Sequence, residues 1–326
     1  MHDQPHSHHG APHIAFLFPG QGSQAVGMGK ELAAMYPVAD ETFREADDAL
    51  GYSLSTICFD GPEDKLKLTE ITQPAILTMS VAAFRVLRSK GILPSFVAGH
   101  SLGEYSAHVA AETLEFADAV RTVAKRGKYM QEAVPVGVGA MAAILGMPVD
   151  AVLQLCADAS HGTVCQPANI NSPDQIVISG HTEAVERAAG MAKERGAKRA
   201  ILLQVSAPFH CALMQPAQDR LQPDLAALEF TNPGVPVITN VDAAPVTSGD
   251  AARDALVRQV TGAVQWEKSM RVLIQKGVQH FIEVGPGKVL CGLMRQIDRG
   301  ATCFNVEDEA SLQKALNHFA HATKIQ

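Results

Sequence analysis

The spacing of apolar positions divides the chain into segments of different period. Residues 1–12 are polar, carry His2, His6, His8 and His9, include Pro5 and Pro12, and read as a flexible His-rich extension. Ile14–Phe18 is a short apolar strand. Residues 30–90 are largely helical: Ile76, Met79, Ser80, Ala83, Val86 and Leu87 recur at helix spacing until Gly91 and Pro94 close the segment. A second apolar run, Phe96, Val97 and Ala98, leads into a helix-like stretch from Glu104 to Ala111, and Phe116–Val134 predicts a further helix.

The pattern changes at Gly137-Val138-Gly139. Strand (Ala140–Leu145), helix (Val149–Ala159), strand (Val164–Asn169), strand (Gln175–Ser179), helix (Thr182–Arg195) and strand (Arg199–Val205) follow one another. The order β-α-β-β-α-β is that of a ferredoxin-like unit. Residues 137–206 are therefore expected to form a small domain inserted between the two parts, 13–136 and 207–326, of a large one. After it come strands at Val235–Thr239, His280–Val284 and Thr302–Val306, with helices at Ala251–Thr261, Ser269–Lys276 and Ser311–His321. Strands alternating with helices predict an α/β fold with a mainly parallel sheet covered on both faces. Ligand sites in such sheets lie beyond the carboxyl ends of the strands.

Composition narrows the class. The 326 residues are 47% hydrophobic and 19% charged, with a mean hydropathy of +0.04, which suits a globular enzyme with an ample core. A net charge of −7 and a pI near 6.0 argue against nucleic acid or an anionic membrane as the main partner. No apolar run reaches membrane-spanning length and the N-terminus has no signal-like apolar segment, so a cytoplasmic protein is expected. Cys58, Cys156, Cys165, Cys211, Cys291 and Cys303 form no C-x-x-C pair and are expected as buried reduced thiols, with no metal site.

Two loops carry candidate chemistry. Gly99-His100-Ser101-Leu102-Gly103 is a G-x-S-x-G stretch between a strand and a helix, the arrangement of a nucleophile elbow. Alone it is weak, since average composition produces it in about one chain of this length in ten. Pro19-Gly20-Gln21-Gly22-Ser23-Gln24-Ala25 follows the first strand and contains G-x-G-x-x-A, the outline of a dinucleotide-binding turn. Pro19 at the turn, the further Gly27 and Gly29, and the lack of a ribose-binding acid at the usual place weigh against that reading. A glycine-rich loop with a glutamine is equally suited to place an N–H against a substrate oxygen.

Taken together the segments resemble the malonyl-CoA:acyl-carrier-protein transacylases of bacterial fatty-acid synthesis and, less closely, the acyltransferase domains of polyketide synthases. The matching motifs are Phe18-Pro-Gly-Gln-Gly-Ser-Gln24, Gly99-His-Ser-Leu-Gly-Glu104, Arg126-Gly-Lys-Tyr-Met-Gln-Glu132, Asn169-Ile-Asn-Ser-Pro173, Ser206-Ala-Pro-Phe-His210, Val264-Gln-Trp266 and Glu283-Val-Gly-Pro-Gly287. The resemblance implies an α/β-hydrolase-like large domain and a ferredoxin-like small one. It implies Ser101 as acyl-accepting nucleophile, His210 as general base, and the N–H groups of Gln21 and Leu102 as oxyanion-hole donors. Arg126 is implied to pair with the free malonyl carboxylate, which a planar guanidinium grips with two parallel bonds. Phe209 matches a bulky position of malonyl-selecting relatives, and Asn169 and Asn171 match positions near the interdomain cleft. A backbone carbonyl near Gln265 is implied to orient His210, with Asp219 and Asp242 as the alternative acids. The implied partners are malonyl-CoA and an acidic acyl carrier protein, for which Lys193, Arg195, Lys198 and Arg199 are a candidate surface; no cofactor is implied, and a monomer is expected. A serine hydrolase and a non-catalytic carrier-binding module are the rival readings.

Overall fold

In the computed structural model, which describes residues 13–323, the run Ile14–Phe18 forms strand β1 with all five residues buried. The His-rich stretch 1–12 lies outside the described residues. Helices α1 (Lys30–Met35), α2 (Pro37–Leu50), α3 (Leu54–Asp60), α4 (Glu63–Leu66) and α5 (Thr69–Ser89) follow. Strand β2 (Phe96–Gly99) turns into α6 (Gly103–Ala110), and α7 (Phe116–Glu132) comes next. The middle of the chain forms β3 (Gly139–Leu145), α8 (Val149–Ser160), β4 (Cys165–Ser172), β5 (Gln175–His181), α9 (Thr182–Glu194) and β6 (Arg199–Leu202). Beyond it lie α10 (Gln215–Ala226), strands β7 (Val237–Ile238) and β8 (Pro245–Val246), α11 (Gly249–Gln259) and α12 (Trp266–Gln275). Strand β9 (His280–Val284), α13 (Val289–Ile297), β10 (Thr302–Val306) and α14 (Glu309–Thr323) complete the order.

Six strands form a mostly parallel sheet in the order β10-β9-β1-β2-β7-β8. Strand β1 is central, with Phe16 opposite Val97 on one side and Ile282 on the other, and only β8 runs antiparallel to its neighbour. The period of two along β1 sorts its side chains into two layers. Ile14, Phe16 and Phe18 pack under α5 with Ile76, Phe84 and Val97, while Ala15 and Leu17 pack on the other face with Trp266, Met270, Leu290 and Met294. A helix buried nearly all round, as α5 is, belongs to the core.

A separate four-stranded antiparallel sheet has the order β4-β5-β3-β6, with α8 and α9 packed on it around Ile144, Val152, Leu155, Ile178 and Val185. Its attachment is visible in the backbone: Ile170 N donates to Val264 O (2.9 Å) and Val264 N donates to Ala168 O (2.8 Å). Strand β6 stops at Leu202, short of the expected Val205, because the chain leaves the sheet there on its way to His210.

Helices α10 and α13 have no counterpart in the sequence reading. Pro216 and Pro223 and a polar composition disguise α10, although Ala217, Leu221 and Leu225 recur every fourth residue and are buried. Gly292 breaks the sequence pattern of α13, though the helix runs through it; its start is held by the buried carboxylate of Glu283, which accepts the N–H groups of Leu290 (3.0 Å) and Cys291 (2.8 Å). Burial pushes that carboxyl up to about 7. The expectation of six reduced thiols is corrected at two positions: Cys291 and Cys303 are joined in a disulfide, Cα to Cα 5.4 Å. Helix α13 folds back on β10, so cysteines twelve residues apart face each other without any motif in the sequence. Cys58, Cys156, Cys165 and Cys211 are free and buried.

The glycines of the elbow are fixed by backbone contact. A Cβ on Gly99 would strike the backbone of Gly103, and one on Gly103 would strike the Phe18 carbonyl. Neither partner is a side chain that can rotate away. Gly103→Ala is therefore expected to destabilise the fold by about 3 kcal/mol, the upper end of ordinary overpacking costs, as measured by urea unfolding. A loss below 0.5 kcal/mol, the scale of an ordinary surface substitution, would show that β1 and α6 can part without cost.

Candidate active site

The turn between β2 and α6 places Ser101 at a left-handed backbone angle, φ 53°. Such an angle costs a non-glycine residue about 1–2 kcal/mol, so the surroundings must hold it. Asn240, just past the carboxyl end of β7, does this from below. Its Oδ1 accepts the Ser101 N–H (2.7 Å) and its Nδ2 donates to Gly99 O (2.7 Å), bracing both sides of the turn. Gln259 Nε2 donates to Ser101 O (2.9 Å). With its main chain pinned, Ser101 holds its side chain toward the space beyond the strand ends.

That hydroxyl lies 2.6 Å from Nε2 of His210. His210 is buried and also left-handed, φ 56°. Its Nδ1 lies 2.9 Å from the Gln259 carbonyl. A carbonyl only accepts, so the proton sits on Nδ1 and Nε2 is left as the acceptor for the serine hydroxyl. Burial, and then the nearby Arg126 charge, push the imidazole down to about 3 from its ordinary 6.5, against the raising effect of the Gln259 carbonyl. The ring is thus neutral across the physiological range and able to take a proton.

Arg126, on α7, is among the largest fully buried side chains. Gly127 beside it lets α7 approach the start of α5, where a Cβ would meet the Thr69 carbonyl at 2.5 Å. Its Nη1 donates to Gln73 Oε1 (2.7 Å) and its Nη2 to Gln259 Oε1 (2.9 Å). The same Nη2 lies 3.3 Å from Ser101 Oγ. Burial lowers the guanidinium's pKa, yet it stays a cation, and among the described residues no carboxylate pairs with it directly. A buried cation beside the serine, bonded to the neutral groups of Gln73, Gln259 and Ser101 and to no carboxylate, can receive an anionic group attached to that serine.

The N–H groups of Gln21 and Leu102 meet no acceptor among the described residues. Gly20 packs so closely on the elbow that a Cβ there would meet the His100 carbonyl at 2.5 Å, so the first glycine loop faces Ser101 from the end of β1. The Gln21 side chain points elsewhere, donating to Thr69 Oγ1 at 3.4 Å.

Comparison with known proteins decides the family. The acyl transferase domain family matches residues 15–317. The malonyl CoA-acyl carrier protein transacylase of Escherichia coli (strain K12) is 53% identical over 304 residues, covering 93% of this chain and 98% of the relative. The chain belongs to the malonyl CoA-acyl carrier protein transacylase family. The structure of the transacylase from Coxiella burnetii is similar with a TM-score of 0.93 at 46% identity, covering 94% of this chain and 98% of that one. A malonyl-transacylase solved in complex with a holo type II PKS acyl-carrier protein is similar with a TM-score of 0.92 at 48% identity, covering 94% of this chain and 99% of that one.

Against this family frame, one expected contact is corrected. The carbonyl on His210 is that of Gln259, not one near Gln265. Gln265 O is already engaged at the start of α12, where it accepts Ser269 N (2.9 Å) and Ser269 Oγ (2.9 Å). Neither alternative acid meets the imidazole: Asp242 accepts from Nη1 and Nη2 of Arg258 (2.8 Å each) and Asp219 accepts from Gln215 (2.7 Å). Phe209 is half-buried between the large core and the apolar cluster of Met141, Ala143 and Val177 on the small sheet. Asn171 Oδ1 lies 2.8 Å from His100 Nε2, and Asn169 forms a parallel bridge with Val264. Both asparagines are buried, and no hydrogen bond joins either to Ser101, His210 or Arg126. Of the candidate basic cluster, Arg195 pairs with Asp158 and Lys198 lies 3.9 Å from Asp174. The sequence reading missed Gln73, Asn240 and Gln259. Asn240 carried one usable signal, its place just after an apolar run at a strand's carboxyl end.

The depressed imidazole has a pH consequence. Because His210 stays neutral, acylation of Ser101 is expected to show no loss as pH falls through 6.5, as read by rapid-quench mass analysis between pH 5 and 8. Stability, by contrast, does change over this range. The unfolded chain protonates its histidine below about 6.5, while the folded one does so only near 3. Stability from this group is therefore complete above 6.5 and is lost as pH falls toward 3. An acylation rate that halves at pH 6.5 would place the imidazole in water.

Proposed function

We propose that the protein transfers the malonyl group of malonyl-CoA to the phosphopantetheine thiol of an acyl carrier protein, through a malonyl-serine at Ser101, supplying fatty-acid synthesis. The observation that carries this is the 3.3 Å between Arg126 Nη2 and Ser101 Oγ. In a malonyl ester on Ser101 the free carboxylate is two bonds from the acyl carbonyl, within reach of the guanidinium. The double coverage of the transacylase relatives supports the same activity.

His210 Nε2 takes the hydroxyl proton as Ser101 Oγ bonds to the thioester carbon. The oxyanion is met by the N–H groups of Gln21 and Leu102, each worth about 2.7–4 kcal/mol of barrier. The carbon–sulfur bond then breaks, and the coenzyme A sulfur leaves with the proton held on His210. The carrier's thiol repeats the steps in reverse, giving up its proton to His210 as its sulfur attacks the ester, and Ser101 is restored. Phe209, at the junction of the two sheets, limits the size of the acyl group, and Asn169 and Asn171 border the cleft. No metal or redox cofactor enters these steps.

The same reading extends to architecture. Residues 13–136 and 207–326 form an α/β-hydrolase-like domain, supported by the parallel order β9-β1-β2-β7 and the elbow after β2. Residues 137–206 form a ferredoxin-like unit, supported by the order β3-α8-β4-β5-α9-β6 and an antiparallel sheet with β3 and β5 central. Among the described residues no helix is long and apolar enough to cross a membrane; we place the protein in the cytoplasm as a monomer.

The test is intact-mass analysis with malonyl-CoA, then addition of holo carrier protein. A malonyl adduct on Ser101 that moves to the carrier thiol is expected. Rapid loss of the adduct to water without any thiol would make the protein a hydrolase, and no adduct at all would leave only a carrier-binding module.

A further inference from the structure

Glu104, on the first turn of α6, has no part in the steps above, yet it is fully buried directly beneath the reacting groups. Its Oε2 accepts from Asn240 N (3.0 Å) and from Gln259 Nε2 (2.8 Å). Its Oε1 has no partner, and His108 Nε2 stands 3.9 Å away. Gln259 in turn is the hub of the site. Its side-chain oxygen accepts from Arg126 and its backbone oxygen accepts from His210.

A primary amide has one accepting and one donating end, and rotating it by half a turn exchanges them. The Arg126 guanidinium only donates, so it needs the oxygen end of Gln259. What keeps that end forward is the group behind it. A carboxylate only accepts, so Glu104 holds the NH2 end of Gln259 and leaves the oxygen for Arg126. The Ser101 carbonyl, also acceptor-only, takes the second hydrogen of the same NH2.

We propose that Glu104 is a positioning residue for substrate selection: it fixes the orientation of the Gln259 amide, which sets the Arg126 guanidinium over Ser101 to receive an anionic acyl group. This rests on the malonyl-transfer reading. Glu104 touches no substrate; it also accepts the Asn240 N–H, but it bears on Arg126 through Gln259.

The readout is the ratio of malonyl to acetyl loading on Ser101, taken from malonyl-CoA and acetyl-CoA in parallel with the same preparation. A general loss of folding or of elbow geometry lowers both rates and leaves the ratio unmoved. Glu104→Gln keeps the shape but gives Gln259 a neighbour that both donates and accepts, freeing the amide to turn its NH2 toward Arg126. The ratio is expected to fall about tenfold, the cost of mispairing a hydrogen bond to a charged group. Gln259→Leu should lower it at least as far, and the double variant should fall no lower than Gln259→Leu alone, because a residue that acts only through its neighbour adds nothing once the neighbour is gone. An unmoved ratio in Glu104→Gln, or effects that multiply in the double variant, would overturn the inference. If Glu104→Gln yields no folded protein, Gln259→Leu decides, and an unmoved ratio there overturns it equally. No adduct on the wild-type protein would overturn the transfer reading and this inference with it; a wild-type adduct with an unmoved ratio would overturn the inference only.

Discussion

His210→Asn is expected to slow malonylation of Ser101 about ten-thousand-fold, the upper range for removing a general base. Asparagine is the informative replacement because residue 210 sits at φ 56°, an angle asparagine tolerates and alanine does not. The fold and Arg126 then stay as they are while the proton acceptor disappears. Without Nε2 at 2.6 Å, the serine proton must pass to water or hydroxide. The variant's residual rate should therefore climb about tenfold per pH unit between 7 and 9, where the wild-type rate, served by an imidazole already neutral, stays level. Malonyl-CoA should still bind, since its carboxylate partner is untouched, so the loss falls on the rate of acylation and not on KM. Rapid-quench mass analysis across that pH range separates the cases. A loss of less than tenfold would mean that Ser101 is activated by another group, and Arg126 Nη2, at 3.3 Å, would be the group to examine.

The broad fold was legible because it is written in local chemistry. The apolar run at β1, the elbow glycines and the βαββαβ order each express a constraint within a few residues of chain, and the element bounds differ by a residue or two at most of these places. Ser101 was legible because Gly99 and Gly103 narrow the turn around it, whereas His210 was legible only through the resemblance carried by Ser206-Ala-Pro-Phe-His210. Their supports were not legible. Asn240, Gln259 and Gln73 are polar residues on ordinary-looking segments, and what makes them part of the site is that β7, α11 and α5 converge beyond the sheet, a long-range event with no local signature. Assigning the orienting carbonyl near Gln265 instead of at Gln259 is the same failure on a small scale. Main-chain oxygens carry no residue identity, and the end of α11 and the start of α12 are only a few residues apart in sequence. The Cys291–Cys303 disulfide escaped for this reason too: its spacing has meaning only once α13 has packed against β10.

Arg126→Ala is expected to separate the two acyl groups that a simple elbow would treat alike. Once the guanidinium is gone, the malonyl carboxylate must enter a buried space with no cation, and a buried charge stripped of its partner costs about 3–5 kcal/mol. That corresponds to a fall of about a hundred- to several-thousand-fold in malonyl loading. An acetyl group brings no charge and loses no partner. It should gain from the change, because in the wild-type protein it leaves the cation with neutral partners only, among them the amide oxygens of Gln73 and Gln259. Arg126→Lys should recover part of the malonyl rate, since an ammonium restores charge but cannot span both carboxylate oxygens. The variant carries a second signature through His210. Arg126 is one of the two main causes holding the imidazole down, so in Arg126→Ala the acid limb of acetyl loading should move up toward the ordinary histidine range, and rates measured between pH 4 and 7 would reveal it. Equal losses for malonyl and acetyl, with the acid limb unmoved, would reduce Arg126 to a packing residue and leave the anionic selectivity of the site without a cause.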